Sequence, residues 1–106
     1  MYGAKVSTLE LEGMAEKAAI VADLLKGIAN EKRLLVLCRL AEGEATVTEL
    51  AQTADLSQSA TSQHLARMRA EGLIAFRRES QTIWYRIGDP RLTTLLDTLR
   101  RLYCDV

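Results

Sequence analysis

The stretch from Leu56 to Ile74, Leu-Ser-Gln-Ser-Ala-Thr-Ser-Gln-His-Leu-Ala-Arg-Met-Arg-Ala-Glu-Gly-Leu-Ile, constrains the fold more than any other part of the chain. Ser57 is a good N-cap, because its hydroxyl can accept from an orphan N–H of a first helical turn. Gly72 suits the position just past a helix end, where glycine enters the left-handed region without strain. Between these caps Ala60, His64 (or Leu65) and Met68 recur at the spacing of an inward helical face. The other face then carries Gln58, Ser59, Thr61, Ser62, Gln63 and Arg67. Short or flexible hydrogen-bonding side chains of this type read base edges and grip phosphates. An ordinary amphipathic surface helix would share the pattern, so the flanking sequence has to decide.

Upstream, Thr46-Val47-Thr48-Glu49 is a capping box, with Thr at the N-cap and Glu at N3. The short helix it opens would hold Val47, Leu50 and Ala51 inward. Ala54-Asp55-Leu56 is a tight connection to the Ser57 cap, with Leu56 placed to lock two helices together. Two capped helices around a brief turn make a helix-turn-helix. Downstream the period changes. Leu73–Phe76 and Thr82–Ile87 are rich in β-branched and aromatic residues, separated by the polar stretch Arg77-Arg78-Glu79-Ser80-Gln81. That predicts a β-hairpin wing. Arg77, Arg78 and Gln81 would lie near its tip, within reach of phosphates or a minor groove; a solvated loop with scattered charges is the plainer alternative.

Residues from about Leu9 to Ile28 predict a helix whose apolar stripe runs through Leu11, Met14, Ala18, Val21 (or Ala22), Leu25 and Ile28. Asn30 can cap a second helix, Glu31–Glu42, with Leu34, Leu35, Leu37, Cys38 and Ala41 buried. Asp89-Pro90 opens the last helix, with Leu92, Leu95, Leu96, Leu99, Leu102 and Tyr103 at helical spacing. The stripes on the first and last helices are wide. They either pack inside one protomer or join two protomers; the expected dimer contacts are Leu11, Met14, Ala18, Leu95, Leu99 and Leu102. The expected fold is mainly α with a small β-hairpin: a single winged helix-turn-helix domain over residues 1–106 with about five helices. Its helix-turn-helix spans about 46–71, its wing about 73–87, and its dimerisation helices about 9–28 and 90–104.

The formal net charge of zero does not by itself suggest nucleic acid, but the charges are unevenly spread. From His64 to Ile87 the bases are Arg67, Arg69, Arg77, Arg78 and Arg86, against only Glu71 and Glu79. A local basic surface on a neutral protein suits salt-dependent phosphate binding. No apolar run approaches the ~20 residues of a membrane span. Met1-Tyr2-Gly3-Ala4-Lys5 is not followed by the apolar core of a signal peptide, so a cytoplasmic protein is expected. An enzyme is disfavoured: there is one histidine, no Gly-rich phosphate loop and no clustered carboxylates in an apolar setting.

With these features in place the sequence resembles the ArsR/SmtB family of bacterial repressors along nearly its whole length. The motifs that carry the resemblance are Leu25–Leu34, Leu56–Leu65, and Glu71-Gly72-Leu73-Ile74 running into Arg77-Arg78. The resemblance implies a homodimer on operator DNA of dyad symmetry, repressing transcription until an inducer binds or reacts. Most members sense metals. The family's Cys-x-Cys pair should fall within Thr48–Thr53, where this chain has Glu49-Leu50-Ala51-Gln52 and no cysteine. The zinc site on the last helix is reduced to Asp97 with no histidine on that helix. His64 lies on the recognition helix, packed or near a phosphate, and joins the DNA-contact candidates. No cofactor is expected. A metal-responsive repressor remains the alternative.

What remains is the pair Cys38 and Cys104. Their placement is similar to a dithiol subgroup of that family, with Leu35-Val36-Leu37-Cys38 and Leu102-Tyr103-Cys104 as matching local motifs. The resemblance implies two thiols that respond to reactive sulfur, or another thiol oxidant, by forming a di- or polysulfide link that weakens DNA binding. Chemically, a thiolate attacks a persulfide or oxidant and a second thiol resolves the product. Two inert cysteines, Cys38 buried among leucines, are the competing possibility.

Overall fold

A computed structural model describes residues 7–104; the Met1–Lys5 start and the side chain of Leu9 lie outside the described residues. The order is α1 (Thr8–Ile28), α2 (Glu31–Leu40), α3 (Val47–Ala54), α4 (Gln58–Ala70), β1 (Ile74–Glu79), β2 (Thr82–Ile87) and α5 (Pro90–Tyr103). This is a winged helix-turn-helix of five helices and one antiparallel hairpin.

Caps set the element boundaries. Ser7 and Glu10 form a capping box at the start of α1, Asn30 Oδ1 accepts from the Arg33 N–H, and Thr46 and Glu49 form the box that opens α3. Ser57 Oγ accepts from the Ala60 N–H at 3.0 Å. At the other end of α4, Gly72 has φ +80°; its N–H reaches Arg69 O and the Leu73 N–H reaches Met68 O, both at 3.0 Å. These are the two hydrogen bonds of a Schellman motif. Asp89 caps α5 with Pro90 at its first position.

The core is assembled from one side of each inner helix. Val36, Leu37 and Leu40 from α2, Leu50 and Ala54 from α3, Leu65 and Met68 from α4 and Leu92 and Leu96 from α5 are buried together with Leu73 and Ile74. Leu56 packs against this cluster from the turn, as expected. Two inward faces differ from the expectation. On α2, Leu35 and Ala41 are exposed and Leu34 and Cys38 half-buried, while Val36 and Leu40 are buried; the helix is rotated about its axis, and it ends at Leu40, not Glu42. On α3, Leu50 and Ala51 are buried and Val47 packs half-buried against the core as expected, and Ala54 joins them. On α4, Leu65 and Met68 are buried, Leu65 rather than His64 filling the position the spacing left open, and Thr61 faces inward in place of Ala60.

The hairpin is longer and its turn tighter than the sequence suggested. Arg77, Arg78 and Glu79 lie within β1, paired with Trp84, Ile83 and Thr82. Only Ser80 and Gln81 remain in the turn, and Ser80 adopts φ 59°. The hairpin is tied to the entry of α3 by the Ala45–Tyr85 bridge, with N···O distances of 3.1 and 2.8 Å.

The terminal helices are the least covered elements. Leu11, Met14, Ile20 and Leu25 on α1 are 45–61% exposed, and Leu102 and Tyr103 on α5 are 62% and 82% exposed. Ala18 is exposed, and Leu95 and Leu99 are half-buried. Among the described residues no helix is long and apolar enough to cross a membrane.

Candidate nucleic-acid interface and dithiol cleft

The helix-turn-helix is held as a unit by its turn. Asp55 takes the left-handed conformation at φ 55°, and the Leu56 N–H donates to Ala51 O at 3.0 Å. Lys32 Nζ donates to Ala54 O at 2.7 Å, placing a cation on the carbonyl end of α3, where the helix dipole favours it. Gln58 Nε2 donates to Thr48 Oγ1 at 2.9 Å, linking the first turns of α3 and α4 across the exposed surface.

With α4 fixed by its buried face, its outward face is defined. Gln58, Ser59, Ser62, Gln63 and Arg67 are exposed, and His64 is half-buried beside them. These six remain together as a polar surface. Thr61 does not: it is fully buried, and its hydroxyl donates to Ser57 O at 2.8 Å within the helix. Thr61 is therefore corrected from a DNA-contact candidate to a core residue. A buried threonine is satisfied when its hydroxyl bonds back to the carbonyl four residues earlier.

The wing arginines differ from each other. Arg77 is held inside the protomer: its Nε and Nη2 meet the two oxygens of Glu44 at 2.9 Å each, and its Nη1 meets Glu79 at 3.0 Å. This fork-to-fork pairing holds the Glu44 carboxyl below its usual range and raises Arg77 further. Arg77 thus braces the wing, rather than standing ready for phosphate as expected. Arg78 projects from the strand as an exposed side chain, and Gln81 is exposed in the turn. Arg69, which the sequence did not single out, lies with its guanidinium 4.2 Å from the centre of the Phe76 ring and so joins the end of α4 to the wing.

A second feature lies away from this surface. Cys38, Ala41 and Glu42 face Thr93, Thr94, Leu96, Asp97, Arg100 and Arg101 across a cleft of about 650 Å³ between α2 and α5. Cys38 is half-buried and Cys104, the residue that ends α5, is exposed; both are free thiols. Burial pushes the Cys38 thiol up from 9.0, and the charges of Cys104 and Glu42 add to the rise. Among the described residues no group of three or more His, Cys, Asp or Glu side chains is placed to hold a metal ion.

The arsR family of bacterial regulatory proteins matches residues 30–75, from the α2 cap through the first residues of the wing. The transcriptional activator HlyU of Vibrio cholerae is 43% identical over 104 residues, 98% of this chain and 94% of that protein. The reduced form of the same protein superposes with a TM-score of 0.81, covering 88% of this chain and 98% of that one. The transcriptional repressor BigR of Xylella fastidiosa is 35% identical with a TM-score of 0.82, covering 88% and 95%. A homodimeric winged helix-turn-helix DNA-binding domain of Mycobacterium bovis is 27% identical with a TM-score of 0.73, covering 99% and 92%. The chain belongs to the arsR family of bacterial regulatory proteins and is a DNA-binding transcriptional regulator.

Proposed function

We propose that the protein is a cytoplasmic homodimeric repressor that binds operator DNA of dyad symmetry and releases it when Cys38 and Cys104 are linked by a reactive sulfur species. Dimerisation through α1 and α5 is supported by the large apolar side chains those helices expose, Leu11, Met14 and Leu102 among them. Large apolar side chains left exposed along a helix, as Leu11 and Met14 are, mark an association site. A two-fold dimer would present two α4 helices to half-sites one DNA turn apart. On each, Gln58, Ser59, Ser62 and Gln63 are the base or backbone contacts. Arg67 and Arg78, with Gln81, hold phosphate or minor groove.

The observation that carries the switch is the position of Cys38 at the cleft between α2 and α5, close enough to Cys104 for that charge to affect its ionisation. The exposed Cys104 is reached first. Its thiolate takes the outer sulfur of a persulfide RS–SH, forming Cys104–S–SH and releasing RS⁻. The Cys38 thiolate then attacks the Cys104 sulfur and expels HS⁻, which closes the disulfide. Two thiols lose two hydrogens, and the persulfide is reduced to a thiol and sulfide. Donors carrying longer sulfur chains would leave extra sulfur atoms in the link. A link between α2 and α5 ties the core of the reading domain to the dimerisation helix, altering the separation of the two α4 helices. Because DNA and the link oppose each other, DNA must disfavour link formation by the same factor.

Intact mass after treatment with glutathione persulfide tests this chemistry. The expected product has lost two hydrogens, with whole sulfur atoms added where the link is longer, and has both cysteines protected from alkylation; Cys38→Ser stops at the Cys104 persulfide, and neither it nor Cys104→Ser forms the link. Two alkylatable thiols after treatment would return both cysteines to packing roles and leave the inducer to be sought among metals.

A further inference from the structure

Arg33 is one of only two polar or charged residues among the described residues that are buried in the protomer, at 8% exposure. Buried arginines are rare unless every donor direction is met. Three groups meet this one, and they come from different parts of the fold. Its Nη1 donates to the Gly27 carbonyl near the end of α1 at 3.2 Å and lies 3.6 Å from the Glu71 carboxylate at the end of α4. Its Nε donates to Nδ1 of His64, in the middle of α4, at 3.4 Å.

The third contact has a chemical consequence. Guanidinium has five N–H donors and no acceptor, so an imidazole nitrogen that meets it must present a lone pair. A neutral imidazole carries one proton. With Nδ1 engaged as acceptor, that proton sits on Nε2. Turning the ring over would set a C–H against the guanidinium and lose the bond. The only buried side-chain nitrogen or oxygen without a partner among the described residues is Trp84 Nε1, so His64 Nε2, which has no partner within the protomer, reaches solvent. His64 lines a small notch of about 130 Å³ with Ala60, Gln63 and Arg67, on the polar side of α4.

We infer that Arg33 is a positioning residue for DNA binding: it fixes His64 as the Nε2–H tautomer, so that His64 offers a hydrogen-bond donor to a DNA phosphate oxygen beside Gln63 and Arg67. This rests on the proposed use of the outward face of α4 for DNA. The joint is closely packed. A Cβ on Gly27 would come within 2.7 Å of Leu73 Cδ1 and 3.5 Å of Glu71 Oε1, so α1, α4 and the start of the wing meet around Arg33 with little slack. The same guanidinium that sets the tautomer therefore also sets the height of His64 against the end of α1.

The test combines imidazole ¹⁵N NMR of the free, full-length protein with a double-mutant cycle read by operator binding. The wild-type spectrum of neutral His64 is expected to show Nε2–H. Arg33→Met should mix the tautomers and lower operator affinity about tenfold, the size of one hydrogen bond to a charged group. His64→Ala should lower it by a similar factor, and adding Arg33→Met to His64→Ala should lower it little further. Arg33→Lys, which keeps a cation and a donor, covers the case in which the methionine variant does not fold; it should retain part of both the tautomer bias and the affinity. An Nδ1–H or mixed tautomer in the wild type would overturn the inference. So would an Arg33→Met effect undiminished in the His64→Ala background, which would make Arg33 purely structural. If His64→Ala binds operator normally while Gln63→Ala and Arg67→Ala do not, the donor role is wrong but the reading face stands. If all three bind normally, the assignment of that face fails as well.

Discussion

The helix-turn-helix and the terminal helices solve the same problem, burying one side of a helix, in opposite ways. α3 and α4 satisfy themselves within the protomer: Leu50 and Leu65 are sealed, both N-termini are capped, and the C-terminus of α4 closes on Gly72. α1 and α5 leave Met14 and Leu102 more than half exposed. The first region is complete as one chain, and its function requires only that its outer face be polar and correctly aimed. The second leaves apolar surface that the proposed dimer would cover, so on that reading its sequence serves assembly as well as folding.

Leu50→Ala should show the largest effect on this contrast, because Leu50 is fully enclosed. A loss of about 2–5 kcal/mol in unfolding free energy is expected, measured by denaturant titration. An equivalent truncation that cost nothing would remove α3 from the core. Met14→Glu combined with Leu102→Glu should leave the helical content of the protomer unchanged but shift sedimentation from dimer to monomer at micromolar concentration. Each loses about 1.5–3 kcal/mol of apolar burial if buried between protomers. A variant that stays dimeric would place the interface elsewhere.

The wing provides a finer comparison. Arg78→Ala should weaken binding to all DNA sequences alike and reduce the dependence of log affinity on log salt by about one. Arg77→Ala should change that slope less, because Glu44 and Glu79 already neutralise its charge. Equal slope changes would mean that Arg77 leaves Glu44 when DNA arrives.

The smallest effect concerns Cys38. Burial raises its pKa, so the folded protein keeps the thiol to a higher pH than the unfolded chain does. Stability from this group is fully present below the ordinary thiol value and declines as pH rises through the folded one. Its alkylation rate should therefore still be climbing above the ordinary thiol value, where an unhindered thiol has levelled off. A plateau at or below that value would contradict the burial argument.

Structure is legible in the sequence where a few adjacent residues decide the outcome. The Thr46/Glu49 box, the Ser57 and Asp89 caps and Gly72 each act within one helical turn. On α4 the sequence favours Ala60 over Thr61 for the inward face, because both are small and hydrophobicity favours the alanine; the threonine can be buried because its hydroxyl finds Ser57 O. Periodicity among the many leucines of α2 likewise favours Leu35 for the inward face, where the structure buries Val36. The role of Arg77 was hidden because Glu44, its main partner, lies 33 positions away. Nothing adjacent in sequence marks Arg33 as buried: Gly27, His64 and Glu71 surround it only after the chain has folded. The Cys38–Cys104 pairing was suggested by resemblance rather than by any spacing rule.

The most direct measurement compares the operator affinity of one preparation of the full-length protein before and after persulfide treatment, at fixed salt, with the link between Cys38 and Cys104 verified by mass. The account predicts tight, salt-dependent binding by the reduced dimer and a clear loss of affinity in the linked form, reversed by a thiol reductant. Equal affinity with the link fully formed would contradict it, because the cleft between α2 and α5 would then be uncoupled from the reading surface of α4.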